Sequence, residues 1–217
     1  MELKYKNWKD ITVNIFEKLK NIGYNKNDDL ESLNANITML SILCDCDEDK
    51  ISALTTGEFN RLLNETSFLK EMPKVNIEEK YVINGKEYKV FVSLKKMSVA
   101  QYIDFQTYYK DTDKYLKELL SIFLIPKGKN YCEDYDIDEV IKEIGEHLSI
   151  VEAKSILFFF VILLQSLTKV TLDCSIKDMK KMLKKTKNED EKEKLNMAIM
   201  EMEKAKASAK NGLGFTL

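Results

Sequence analysis

A chain of 217 residues, 44% hydrophobic and 32% charged, is long enough to bury a core without disulfides or metals and has the balance of a globular protein. Its 34 basic and 36 acidic residues leave a formal net charge of -2, which excludes an overall positive field that would gather nucleic acid by counterion release. A single arginine, Arg61, and a single histidine, His147, supply few of the bidentate forks and positioned bases on which common phosphate and acid-base sites are built.

In chain order, Trp8, Ile11, Ile15, Leu19 and Ile22 recur at helical spacing, with Gly23 where a left-handed cap would close the helix. After a polar turn, Asn25 to Asp29, a second stripe of Leu30, Leu33, Ile37, Leu40 and Leu43 predicts a helix antiparallel to the first. Asp47 opens a short turn, and Thr55 with Glu58 offers a capping box ahead of Phe59, Leu62 and Leu63. Pro73 is expected to end this helical region. The period then changes: Tyr81 and Ile83, the pair Asn84-Gly85, then Tyr88 and Val90 predict a β-hairpin at about 77–92, because Asn-Gly accepts the positive φ angles of a type I′ turn. A hairpin alone is marginal, so the face carrying Tyr81, Ile83, Tyr88 and Val90 is expected to be covered.

Helices resume at Ser98, which forms a capping box with Gln101, and a second helix, YLKELLSIFLI, should stop at Pro126 and Gly128. Asp136 and Glu139 start another through Val140, Ile141, Ile144 and Leu148. Next comes the stretch expected to be central, about 149–171. It holds nine consecutive apolar residues, Ile156 to Leu164, so a helix built from it must be covered on every side. Charged or polar residues at Glu152, Lys154, Gln165 and Lys169 keep the run short of the roughly 20 apolar residues of a membrane span. The fold class is therefore mainly α: a helical bundle around a buried central helix, with one small β-hairpin. Residues 1–187 are expected to form a single domain, and 188–217 a peripheral C-terminal helix with a flexible end.

The remaining constellations read as structural. Cys44, Cys46, Cys132 and Cys174 include no zinc-ligand spacing, and the start MELKYKNWKD lacks a secretory apolar run, so a cytoplasmic protein with thiols as small core residues is expected. Asp45, Asp47 and Asp49 begin like a calcium loop, but Lys50 stands at the glycine position and Thr56 at the glutamate position. Asp134, Asp136 and Asp138 fail similarly, at Glu139 and Gly145. The segment Pro126-Lys-Gly-Lys-Asn lacks the first glycine and the hydroxyl of a phosphate loop. No catalytic residue, metal or cofactor is expected. Lys177, Lys180, Lys181, Lys184, Lys185 and Lys187 form the one basic patch, and the acidic run Glu189 to Glu193 suggests that two adjacent helices balance it. Tyr102, Tyr108, Tyr109 and Tyr115 concentrate aromatic surface on consecutive helices, where they serve either a protein partner or a partly exposed core, and Tyr102, Phe105, Tyr108 and Tyr109 are the expected partner-binding residues.

The order of hairpin, KKMSVAQYIDFQTYYKD, LLSIFLIPKGKNY and AKSILFFFVILL, spanning about Tyr81 to Leu164, resembles the small helical tail assembly chaperones of tailed bacteriophages. The resemblance implies a non-enzymatic cytoplasmic protein that holds a long helical tail component, the tape measure, in solution until the tail polymerises. It carries no catalytic residue across. The alternatives are a structural virion connector or ring subunit, and a helical regulatory protein or enzyme whose site is assembled only in three dimensions.

Overall fold

The computed structural model describes all residues except 24–27, 72–77, 79, 92–95, 113, 187 and 211–217, and describes 161–171 and 205–210 as backbone only. The turn expected from Asn25, the stop at Pro73 and the flexible end fall on or beside residues outside this set. The protein is mainly helical with one small antiparallel sheet. The chain divides into two compact units, Met1–Ile156 and Leu157–Leu217.

In the first unit, helix α1 is Val13–Lys20. It starts later than the apolar spacing suggests, because Asp10 accepts the backbone N–H groups of Lys6 and Asn7 at 2.9 and 3.2 Å, and Thr12 caps Ile15 at 3.4 Å. These local bonds compete with helix formation. Trp8 is thus outside α1, and its indole N–H donates to the carbonyls of Phe68 and Glu71 at 2.8 and 2.9 Å. Helix α2, Asp29–Cys44, is capped by Asp28, and only the C-terminal half of its stripe is inside: Leu40 and Leu43 are buried, whereas Leu30 and Leu33 are exposed. Short helix α3, Glu48–Ser52, and α4, Thr56–Glu65, follow, the latter with the expected Thr55–Glu58 capping box.

The hairpin forms where Asn84-Gly85 predicts it, with φ of 49° and 75° at the turn and Tyr81 opposite Tyr88. Its strands are β1, Lys80–Ile83, and β2, Lys86–Val90. Tyr81, Ile83, Tyr88 and Val90 are all buried, as the alternation requires. A third strand, β3, Leu124–Pro126, pairs antiparallel with β2. The predicted helix through Ile125 is therefore shorter, because the residue before a proline is pushed to extended backbone and Leu124 already has φ -98° and ψ 96°. Helix α5, Val99–Tyr108, precedes α6, Leu116–Phe123, in which every residue but Lys117 and Glu118 is buried. Helix α7, Ile137–His147, is capped by Asp136.

Helix α8, Ile150–Lys185, opens on the Ser149–Glu152 capping box and begins in the first unit. An antiparallel bridge ties its start to that of α1: Val13 donates to the Leu148 carbonyl at 3.1 Å and Ile150 to that of Ile11 at 2.8 Å. Ile150, Ala153 and Ile156 are buried. Two features of the expected central helix differ. It continues well past Thr171, since no glycine or proline interrupts 171–185. It is also not enclosed on every side, because Phe158 is 50% exposed. Helix α9, Glu189–Lys210, completes the second unit.

Candidate functional site: a solvent-facing apolar face on helix α5

Helix α5 is held by one side. Ser98 and Gln101 form the predicted capping box, and Gln101, itself buried, donates through Nε2 to the Ile122 carbonyl at 3.2 Å. One turn on, Phe105 is buried between Tyr109, stacked at 5.1 Å between centroids, and Phe123, edge-on at 5.9 Å. Asp104 accepts the hydroxyl of buried Tyr131 at 2.8 Å, and burial followed by this carboxylate pushes the phenol far above its ordinary range. These contacts fix the rotation of the helix about its axis.

At about 100° per residue, the positions opposite Gln101 and Phe105 are 99, 102, 103 and 106. Val99 is 76% exposed, Tyr102 55% and Ile103 58%. Spaced i, i+3 and i+4, they form one contiguous apolar surface about a turn long. Of the residues the sequence pointed to, only Tyr102 belongs to this face. Phe105, expected to bind a partner, is instead buried in the core, where Phe123 and Tyr109 pack on its ring. Tyr109 is occupied by stacking on Phe105, and Tyr108 packs at 5.4 Å on Tyr115, both half-buried. Val99 and Ile103 were missed. The signal that could have found them is the capping box, which sets the helix register and, with Phe105 placed inside, turns both outward.

The densest polar cluster joins the hairpin to α7. Tyr88 donates its hydroxyl to Glu143, and Lys86 Nζ contacts Glu143 at 2.6 Å and Glu139 at 3.0 Å. Burial alone would push the Glu143 carboxyl up, but Lys86 and Tyr88 outweigh it and hold it below its usual range. Burial, then Glu143, pushes the Tyr88 phenol far up. A general acid or base works best with a pKa near the operating pH. This pair is tuned away from neutrality in both directions, which suits a structural tie.

The other sequence candidates are dispersed. His147 ends α7, with Nε2 3.9 Å from Glu146. All four cysteines are free thiols, and none is a fully buried core residue as expected: Cys44 and Cys46 are half-buried, Cys132 and Cys174 exposed. Burial pushes the half-buried Cys44 thiol up, away from the reactive thiolate. Asp45 is the left-handed C-cap of α2 and pairs with Lys4 at 2.5 Å, while Asp136 caps α7. Among the described residues no group of three His, Cys, Asp or Glu side chains could hold a metal ion, and no helix is long and apolar enough to cross a membrane. Across the lysine cluster and its acidic successor, one ion pair among the described residues joins the two helices, Lys180 to Glu203 at 2.8 Å.

The fold and surface define a mainly helical protein with a small sheet and an unpartnered apolar helix face. No protein-family model, no curated protein and no solved structure matches this chain.

Proposed function

We propose that the protein acts by binding another protein through the exposed face of α5, without chemistry or cofactor. The observation that carries this reading is the exposure of Val99, Tyr102 and Ile103 on a helix whose opposite side is locked into the core. A rigid apolar face loses little conformational entropy on association, and one-turn spacing suits a partner helix lying alongside. The resemblance of Tyr81 to Leu164 to tail assembly chaperones supports a long helical client, the tape measure of a phage tail, held reversibly in the host cytoplasm.

The test is a pull-down from cells carrying the native gene neighbourhood, followed by titration of the captured partner. A soluble complex is expected whose affinity falls at least about tenfold for Tyr102→Ala with Ile103→Ser, as for a hydrophobic hot spot. Raising salt from about 50 to about 500 mM should change it little, because apolar contacts are not screened. No complex, or one indifferent to both substitutions, overturns the reading. Retention of the protein in assembled particles would instead identify a structural virion subunit.

A further inference from the structure

The first residues of the chain run past the C-terminal end of α2 and are fastened there. Lys4 and Tyr5 both donate their backbone N–H to the Leu43 carbonyl, at 2.9 and 3.2 Å, and Lys4 Nζ pairs with Asp45 at 2.5 Å. Before them, the carbonyl of Met1 accepts from Arg61 Nη2 at 2.7 Å, while Arg61 Nη1 pairs with Glu65 at 2.6 Å. The only arginine of the chain thus anchors Met1 to α4.

Helix α2 itself ends in a reversal. Asp45 takes a left-handed φ of 54° and ψ of 53°, and the N–H groups of Asp45 and Cys46 turn back to the carbonyls of Ile42 and Ser41 at 3.2 and 3.0 Å. Helical dihedrals of either hand leave the two flanking residues about 5.5 Å apart at Cα, so Cys44 and Cys46 bring two thiols to one end of the helix. Met1 adds a third sulfur, its Sδ lying 4.0 Å from Cys46 Sγ. The three residues are accessible: both cysteines are half-buried free thiols and Met1 is 44% exposed. Burial first, and then the neighbouring Cys46 thiol, hold the proton on Cys44. At the metal–sulfur bond of about 2.3 Å that a thiolate gives, sulfurs 4.0 Å apart meet one ion at an angle of about 120°, that of a three-coordinate centre. Thiolate and thioether are soft donors, a set that suits Cu(I). A structural zinc site takes four ligands, and among the described residues no third His, Cys, Asp or Glu joins these cysteines to hold one.

We propose that Met1, Cys44 and Cys46 form a binding site for a soft monovalent metal ion, Cu(I), with the two thiolates as its principal ligands and the thioether as the third. Binding displaces both thiol protons to solvent and leaves a singly negative centre. The Arg61 guanidinium, whose charge also favours the Cys44 thiolate, offsets that charge. The ion crosslinks the start of the chain to the end of α2. The site shares no residue with the α5 face and gives the protein-binding reading no cofactor.

The experiment uses the full chain with Cys132→Ser and Cys174→Ser, so that Cys44 and Cys46 are the only thiols, titrated without oxygen into the coloured Cu(I) complex of bathocuproine disulfonate. One equivalent of Cu(I) is expected to transfer to the protein. Cys44→Ser or Cys46→Ser should each weaken binding at least about a hundredfold, beyond the loss typical of an outer-shell partner, with circular dichroism confirming the fold. Silver(I), a diamagnetic ion of the same class, should move one methyl resonance among those of the nine methionines in protein carrying methyl-labelled methionine, the one with an NOE to Cys46. No transfer from the competitor overturns the proposal, as does binding that neither serine variant weakens or a silver titration that moves no methionine methyl. Should a serine variant unfold the chain, the stoichiometry and the methyl shift of the parent protein still decide. Zinc(II) that binds the same thiols more tightly than Cu(I) would assign them to a harder ion and is equally fatal.

Discussion

Gly145 lies directly against the side chain of Asn14. A Cβ added there would lie 2.5 Å from Asn14 Oδ1 and 2.9 Å from the Cγ and Nδ2 of the same side chain. Asn14 is itself engaged, accepting from Lys117 at 3.1 Å, while Lys117 also bridges to Glu17 at 2.9 Å. Alanine would gain about 1 kcal/mol of helix propensity but lose about 1 to 3 kcal/mol by overpacking. Gly145→Ala should therefore destabilise the protein, and adding Asn14→Ala should recover the propensity gain; urea unfolding of the single and double variants checks this. Glu143 sets a pH dependence. Its folded pKa is depressed, so its stabilisation is complete above the ordinary carboxylate range and is lost as pH falls through that range to the folded value. Lys86 is raised by Glu143, and its contribution is lost only as pH climbs past the ordinary lysine range. Tyr88→Phe, which deletes a hydrogen bond to a buried charge, should cost about 1.5 to 3 kcal/mol at neutral pH. The cost should shrink once the pH falls below the depressed folded value and Glu143 takes up its proton; a cost that stays constant through the whole acid limb of the unfolding profile would show that the phenol does not act through the carboxylate.

Helix α5 is the element where stability and function separate. Phe105→Ala removes a ring packed on Tyr109 and Phe123 and should cost about 3 to 5 kcal/mol. Tyr102→Ala, on the opposite side, should leave stability within about 0.5 kcal/mol while weakening the partner complex. Thermal melting beside partner titration distinguishes them. The reverse pattern would place Tyr102 in the core and remove the surface on which the proposed function stands. Ser98→Ala tests the device that sets the register: loss of the capping box should cost about 1 kcal/mol and fray the turn that carries Val99.

At the scale of the whole molecule, the two units differ in how much they enclose. The first has a core of fully buried large side chains around α6, including Leu120, Ile122 and Phe123. The described part of α9 buries only Ile199. Amide hydrogen exchange should therefore be slowest in α6 and α7 and faster in α9, following the local enclosure of backbone. Trp8, the only tryptophan, reports on the first unit through its bonds to Phe68 and Glu71. In a denaturant titration its fluorescence should change at a higher concentration than the first loss of helical dichroism. Coincident transitions would show that the units unfold as one.

What the sequence determined by itself is what neighbouring residues decide. The capping boxes at Thr55 and Ser98 and the Asn84-Gly85 turn all form as read, because each is a bond or a backbone angle within four residues. The alternation that buries Tyr81, Ile83, Tyr88 and Val90 is equally local. Tertiary structure decided what depends on partners distant in sequence. It recruited Leu124–Pro126 to β2, gave Trp8 its carbonyls sixty residues away, required a glycine at 145 to admit Asn14, and divided the chain within α8. It also decided the candidate site. Phe105 and Tyr102 are both aromatic residues of one helix, and only the packing of Phe123 and the carbonyl of Ile122 turned the first inward and left the second, with Val99 and Ile103, facing solvent.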